Sequence, residues 1–202
     1  MITIVNYGMG NLGSLLNMFK RIGVPARIEA DPHTIRTATK LILPGVGAFD
    51  AAMQRINELP GLREVLDHKA LTEKIPVLGV CLGMQLLTRS SEEGSIPGLG
   101  WIPGVARRFP RESGLKVPHM GWNTAQNDVP NPLTANVGDE PRYYFVHSYC
   151  VLVDDPAYSI MRTHYGLDFD SAIARDNIYG VQFHPEKSHR FGMQILKNFA
   201  EI

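Results

Sequence analysis

Four short apolar runs early in the chain, residues 1–6, 26–29, 40–43 and 76–80, have the length and bounding residues of buried strands. The stretches between them, residues 12–22, 48–58 and 61–71, carry apolar residues at helical spacing instead; Leu12, Leu15, Leu16, Phe19 and Ile22 share one face of the first. This alternation leaves few architectures open. Parallel neighbours need a crossover, a helix supplies it, and successive helices cover both faces of the sheet. From about Gly98 the texture changes. Short β-prone pieces, "WIPGVARRF", "RYYFVHSYCVLV", "SAIAR" and "IYGVQF", are separated by Gly, Pro, Asn and Asp, so the second half reads as mixed or antiparallel. Residues 188–202 place Phe191, Ile195, Phe199 and Ile202 on one helical face, which should close the fold. The 202 residues suffice for one well-buried domain and are short for two, and no repeat or linker divides them. A single domain over residues 1–202 is expected: an α/β fold with a central, mostly parallel sheet, helices on both faces, and extra short antiparallel strands late in the chain.

Composition narrows the partners. The formal net charge is +0 and no long Lys/Arg cluster occurs, which argues against nucleic acid, since phosphate binding needs a localised basic surface. No secretory signal is visible at the N-terminus. The longest apolar run, around residues 75–84, is broken by Pro76 and two glycines, so no membrane span is expected. Two cysteines, Cys81 and Cys150, are too few for a disulfide framework. These features read as a cytoplasmic protein with free thiols, and no metal or cofactor is expected.

One motif speaks against that last expectation. "NYGMGNLGSL" contains Gly8-Met9-Gly10-Asn11-Leu12-Gly13, a literal G-x-G-x-x-G between a strand-like run and a helical stretch, with Glu29 and Asp31 about 20 residues on. Taken locally, it permits a dinucleotide.

The densest chemical signal lies elsewhere, in "PVLGVCLGMQLL". An apolar strand runs into Gly79-Val80-Cys81-Leu82-Gly83 and then into a helix, the G-x-C-x-G form of the nucleophile elbow. Such a turn strains the nucleophile, and flanking glycines remove side chains that would clash. It leaves Cys81 at a helix N-terminus, which favours a thiolate, and aims the Leu82 N–H where an oxyanion would form. A buried structural cysteine between packing glycines is the competing reading.

A thiol nucleophile needs a base and a group to orient the base. "IYGVQFHPEKS" offers both: a β-prone run over residues 178–183 delivers His184, with Glu186 two residues later on the same side of an extended chain. The alternative is a surface histidine beside a solvated glutamate. His33, His68, His119, His164 and His189 show no comparable partner pattern in the sequence. In "LILPGVGAF", Pro44-Gly45-Val46-Gly47 exposes backbone N–H groups with little side-chain cover, suited to an oxyanion hole or simply to a tight turn.

Together "PGVGAF", "GVCLGMQ" and "FHPE" resemble, in order and type, the class I, triad-type glutamine amidotransferases. "NYGMGNLGSL", "VPHMGWN" and "YYFVHSY" are similar to the glutaminase subunits of imidazole glycerol phosphate synthases. The resemblance runs from residue 4 to the end. It implies hydrolysis of glutamine through a γ-glutamyl thioester, with Cys81 as nucleophile, His184 as proton carrier and Glu186 as its orienting carboxylate. It also implies Val46 and Leu82 N–H groups in the oxyanion hole, and Gly45, Gly47, Gln85, His147, Ser148 and Tyr149 around the glutamine. Ammonia would pass to a β/α-barrel synthase subunit, with Asn11, Met120, Trp122 and Lys187 at the junction.

The resemblance reassigns the glycine motif to the partner-facing side of an amidotransferase, and a dinucleotide is then a coincidence of spelling. Family members usually carry Asp-Tyr-Gly and Gly-Asn-Leu-Arg where this chain has Asn6 and Gly13. "FHPEKSHRFGMQIL" also departs from the common ending. Such variants resemble paralogues that supply ammonia to an amidotransferase of surface-sugar biosynthesis, which leaves two acceptors open. A binding module without catalysis and a cysteine peptidase are the rival readings from other classes.

Overall fold

The computed structural model describes residues 1–110 and 114–202. The first half alternates as expected: β1 (Ile2–Val5), α1 (Leu12–Arg21), β2 (Ala26–Glu29), α2 (Pro32–Ile35), β3 (Leu41–Gly45), α3 (Phe49–Glu58), α4 (Leu62–Asp67), β4 (Val77–Cys81) and α5 (Leu82–Leu86). The second half adds β5 (Ser90–Ser91), β6 (Gly104–Arg108), β7 (His119–Thr124), β8 (Gln126–Asn127), β9 (Arg142–His147), β10 (Tyr149–Val153), β11 (Ser159–His164), β12 (Asp168–Arg175), β13 (Ile178–Val181) and α6 (His189–Glu201).

Among the described residues the main path of the large sheet runs β2-β1-β3-β4-β13-β12-β10-β6-β5. β2, β1, β3, β4 and β13 are parallel neighbours, whereas β12 pairs antiparallel with β13 and β10 antiparallel with β6. β7 and β9 form a separate antiparallel pair. Period-two alternation divides the parallel strands between two cores. Ile2, Ile4, Ile42, Leu78 and Val80 face a layer with Leu15 and Phe19 of α1 and Ile195 and Phe199 of α6. Val5, Leu41, Leu43 and Val77 face the opposite layer with Phe49, Met53 and Ile56 of α3 and Leu66 of α4. Phe199 is fully buried, so its truncation to alanine should destabilise by about 3–5 kcal/mol.

Local sequence explains most boundaries. α1 ends in a Schellman motif: Gly23 takes φ +74°, its N–H donates to Lys20 O, and Val24 N–H donates to Phe19 O. The short helix α2 was not expected; the Asp31 carboxylate caps it by accepting from His33 N–H and Thr34 N–H. The expected helix over residues 61–71 is α only to Asp67 and continues as a π-helical turn, His68–Thr72. β3 continues past residue 43 to Gly45 despite Pro44, which brings Gly45 into register with Cys81. The run "RYYFVHSYCVLV" is not one strand. It breaks at Ser148, with β9 in the small sheet and β10 in the large one. No helix among the described residues is long and apolar enough to cross a membrane.

Candidate active site

β4 delivers Cys81 at φ 56°, ψ −113°, and α5 begins at the next residue. Such backbone strain costs on the order of 1–3 kcal/mol and persists only where the surroundings enforce it. The glycines let the chain pass close enough to do so. A Cβ at Gly83 would lie 1.8 Å from Leu43 O, and one at Gly79 would lie 2.6 Å from Gly83 O. Leu82 opens α5, and the first N–H groups of a helix have no intrahelical partner, so an oxyanion beside Cys81 finds a donor there.

β3 lies beside β4, and the loop after Gly45 enters the same space. Tyr7 Oη donates to Pro44 O at 2.5 Å and stays protonated, because burial and then the charge of Cys81 push its ionisation far up. Val46 is exposed, and Gly47 takes φ +102°. The glycine motif lies beside this loop. A Cβ at Gly10 would sit 3.1 Å from Pro44, and one at Gly8 would meet the Arg55 guanidinium. Gly13, which in a dinucleotide fold permits close helix–strand packing, has open space where its side chain would be.

His184 follows β13, which ends at Val181 rather than residue 183. Its backbone N–H donates to Tyr144 O, and its carbonyl accepts from Ser188 Oγ, which itself accepts from Tyr144 N–H. The ring Nδ1 lies 2.8 Å from Glu186 Oε1, with both side chains buried. The expected reason for this pairing needs correction. Glu186 lies in a 3₁₀ turn, Pro185–Lys187, and the turn rather than an extended strand folds the carboxylate back onto the ring. With Nδ1 donating to a carboxylate, Nε2 is left for Cys81. Nε2 interacts with Cys81 without meeting strict hydrogen-bond geometry among the described residues, as catalytic contacts often do before substrate binds. Burial alone would push His184 toward neutrality. The interaction with the Cys81 sulfur and the hydrogen bond to Glu186, with their charges, outweigh it and raise the histidine to about 10. That raised value favours an imidazolium at neutral pH, set beside the Cys81 sulfur. At the other cysteine, Cys150, burial, then the charges of Asp170 and Glu92, push the thiol up to about 12.

These groups open onto a cavity of about 340 Å³. Of the expected residues, Cys81, His184, Val46, Leu82, Gly47, Gln85, His147, Ser148, Tyr149 and Lys187 line it. Glu186 lies behind His184, and Gly45 lies beneath the loop against Gly83 and Tyr7. Glu93, Pro118 and Val146 also line the cavity and were not expected. Glu93 Oε2 accepts from Phe49 N–H at 2.9 Å, which sets a carboxylate at the rim.

His119, which shows no comparable partner pattern in the sequence, is half of a buried pair. Tyr149 O can only accept, so His147 Nδ1, 2.7 Å away, must carry the hydrogen. His147 Nε2 then accepts from His119 Nδ1 at 2.9 Å, and His119 Nε2 accepts from Asn123 Nδ2 at 3.2 Å. Both rings are neutral in this chain. Burial lowers His119 to about 4 and is the largest cause lowering His147 to about 3. His164 and Asp168 also pair, at the surface, at 2.6 Å.

The expected junction residues lie outside the cavity except for Lys187. Met120 and Trp122 are among the exposed large apolar side chains. Trp122 stacks on His189 at 5.3 Å and meets Tyr144 edge-on, and Lys187 Nζ lies 5.7 Å from the Tyr144 ring. Asn11 is exposed before α1 and makes no side-chain capping bond. Among the described residues, no cluster of three or more His, Cys, Asp or Glu side chains could hold a metal ion.

The class-I glutamine amidotransferase family matches residues 3–202. The chain is 52% identical to the imidazole glycerol phosphate synthase subunit HisH 2 of Methanococcus maripaludis, over 100% of this chain and 99% of that one. It is 49% identical to the subunit HisH of Bdellovibrio bacteriovorus, and 49% identical to HisH 2 of Pseudomonas aeruginosa, over 100% of each chain. Among solved structures, a glutamine amidotransferase superposes with a TM-score of 0.75 at 16% identity, covering 100% of this chain and 98% of its own. PurLQS of Thermotoga maritima gives 0.74 at 16% identity, covering 99% and 97%.

Proposed function

The chain belongs to the class-I glutamine amidotransferases, and from that premise we propose that it is the glutaminase subunit of an imidazole glycerol phosphate synthase, acting as one domain over residues 1–202 in the cytoplasm. The observation that carries the reaction is the convergence of a strained Cys81 and the Glu186-held His184 on one cavity.

Glutamine enters with its side-chain amide at Cys81. The thiolate attacks the amide carbon, and the Val46 and Leu82 N–H groups receive the developing oxyanion. His184 gives its proton to the leaving nitrogen, the C–N bond breaks, and ammonia departs. A γ-glutamyl thioester remains. The neutral His184 then takes a proton from water, hydroxide adds to the thioester, and the C–S bond breaks to give glutamate and the thiolate. Glu186 keeps Nδ1 protonated throughout, so Nε2 does the transfers. Glu93 offers a negative charge to the substrate α-ammonium, and Gly47, Gln85, His147, Ser148 and Tyr149 complete the pocket. Ammonia passes to a β/α-barrel partner docked over Asn11, Met120, Trp122 and Lys187.

The test is glutamate release from glutamine in the presence of a barrel synthase, together with labelling of Cys81 by a glutamine-analogue chloroketone. An unlabelled thiol and no release would end the reading. A second acceptor, a surface-sugar amidotransferase, is favoured by Asn6 and Gly13, which depart from the usual family residues on the partner-facing side. Offering both kinds of barrel partner decides it, since only the true one raises glutamate release.

A further inference from the structure

Gln182 is wholly buried two residues before His184, and none of the catalytic steps uses it. Its backbone N–H donates to Ser171 O at 2.9 Å. Its side-chain Nε2 lies 3.8 Å from Cys81 Sγ, and its Oε1 accepts from Gln85 Nε2 at 3.1 Å. Amide oxygen and nitrogen look alike, so the orientation needs an argument. Tyr149 O supplies it. That carbonyl can only accept, and it lies 3.1 Å from one end of the Gln85 amide, which must therefore be the NH₂ group. The second hydrogen of the same NH₂ points at Gln182, whose facing atom must be oxygen. The Gln182 NH₂ is left aimed at the sulfur.

We propose that Gln182 is a hydrogen-bond donor to the Cys81 sulfur, locked in that orientation by Gln85, and that it stabilises the thiolate both before attack and on release. The inference rests on the glutaminase reading of the site. A donor is attracted more strongly to a charged sulfur than to a neutral thiol, and more so in a buried setting, so it favours the thiolate. Gln182 and His184 part ways once attack has occurred. The imidazolium gives its proton to the leaving ammonia, whereas the amide keeps its hydrogens. When the C–S bond of the thioester breaks, the departing thiolate meets the same donor again.

Alkylation of Cys81 by iodoacetamide, followed across pH on the full chain, reads the thiolate without involving glutamine. Gln182→Met keeps length and burial and removes the donor, while His184 and Tyr7, the titratable groups that interact with the sulfur, remain in place. The expected result is a loss of about tenfold in alkylation rate at neutral pH, of the size of one charge-assisted hydrogen bond. The midpoint of the profile should move to higher pH and the alkaline plateau should be retained. An unmoved midpoint, whether the plateau holds or drops, overturns the proposal, because distorted packing alone lowers the plateau. Gln182→Glu is the second variant should Gln182→Met not fold. It keeps the Gln85 contact but puts an acceptor against the sulfur, so the same upward displacement is expected and an unmoved profile is again fatal. If the unmodified chain alkylates as expected but never hydrolyses glutamine, the glutaminase reading falls and the assignment of the sulfur's donor stands.

Discussion

His184 Nδ1 and Glu186 Oε1 lie 2.8 Å apart across a single 3₁₀ turn, and both side chains are buried. The contact fixes which ring nitrogen remains for the sulfur, and it separates two roles that mutation can tell apart. His184→Ala should lower glutamine hydrolysis nearly as far as loss of Cys81, because members of a nucleophile–base unit fail together rather than additively. Glu186→Gln should be milder, since the base remains while its charge partner is lost. Steady-state glutamate production by the two variants checks the order; a larger loss in Glu186→Gln would reverse the assignment.

Cys81→Ala should abolish glutaminase activity and leave the fold intact. The alanine also relieves nothing essential, because the φ 56° turn is held by close glycine packing around it. Ammonia-dependent synthesis by the barrel partner should survive, as only the ammonia source is removed. Glutamine-dependent turnover persisting in Cys81→Ala would mean another nucleophile.

The elbow and the loop were legible because close backbone approach demands glycine, and glycine can be read from a string. Gly83 beneath Leu43 O is the physical content of that signal. His184 and Glu186 were legible as a pair, but not the turn that joins them, since i and i+2 meet in more than one backbone conformation. His119 was invisible for a different reason. Its main partner, His147, meets it through the β7–β9 register, and no local period encodes a register between residues 28 positions apart. Gln182 was overlooked although it sits in the same motif as His184. The break at Ser148 was hidden because a β-prone run does not record which sheet each half joins. The third glycine of the G-x-G-x-x-G string was set aside on the resemblance alone; the open space beside Gly13 is a detail that only the folded chain supplies.

The buried histidine pair should shape acid stability. Both rings are lowered, His119 to about 4 and His147 to about 3, whereas an unfolded histidine titrates near about 6.5. As pH falls below that value the unfolded chain binds protons that the folded chain refuses. The stabilisation is full above about 6.5 and is lost progressively toward 4 and 3. His119→Phe keeps the stack between Phe145 and Tyr165 but removes one refusing group. It should lower stability at neutral pH by about 1–3 kcal/mol, as His147 Nε2 loses its donor, and should flatten the acid limb. Urea unfolding at neutral and mildly acid pH measures both; an unchanged acid limb would show that the pair does not titrate as described.

The last expectation is that the lone chain is a poor glutaminase and becomes a good one only with its barrel partner. Ammonia released to solvent protonates and ceases to be a nucleophile, so an oxyanion hole completed only on docking avoids the loss. The loop is built for such control. Glycines flank Val46, Gly47 already takes φ +102°, and a single misdirected donor lowers turnover on the order of a hundredfold or more. The small sheet offers a route for the signal. Met120 and Trp122 are exposed on β7, and their register partners on β9 are Val146, which lines the cavity, and Tyr144, whose carbonyl holds the His184 backbone. A partner pressing on β7 therefore acts on the strand that supports the base and the substrate wall. Trp122→Ala should weaken association and reduce the stimulated rate together, while basal hydrolysis stays within a few-fold. Glutamate production with and without saturating barrel subunit and its acceptor is the measurement. A lone chain that already turns over glutamine at the stimulated rate would remove the need for any gate, and with it the role of β7 in relaying the partner's arrival to the site.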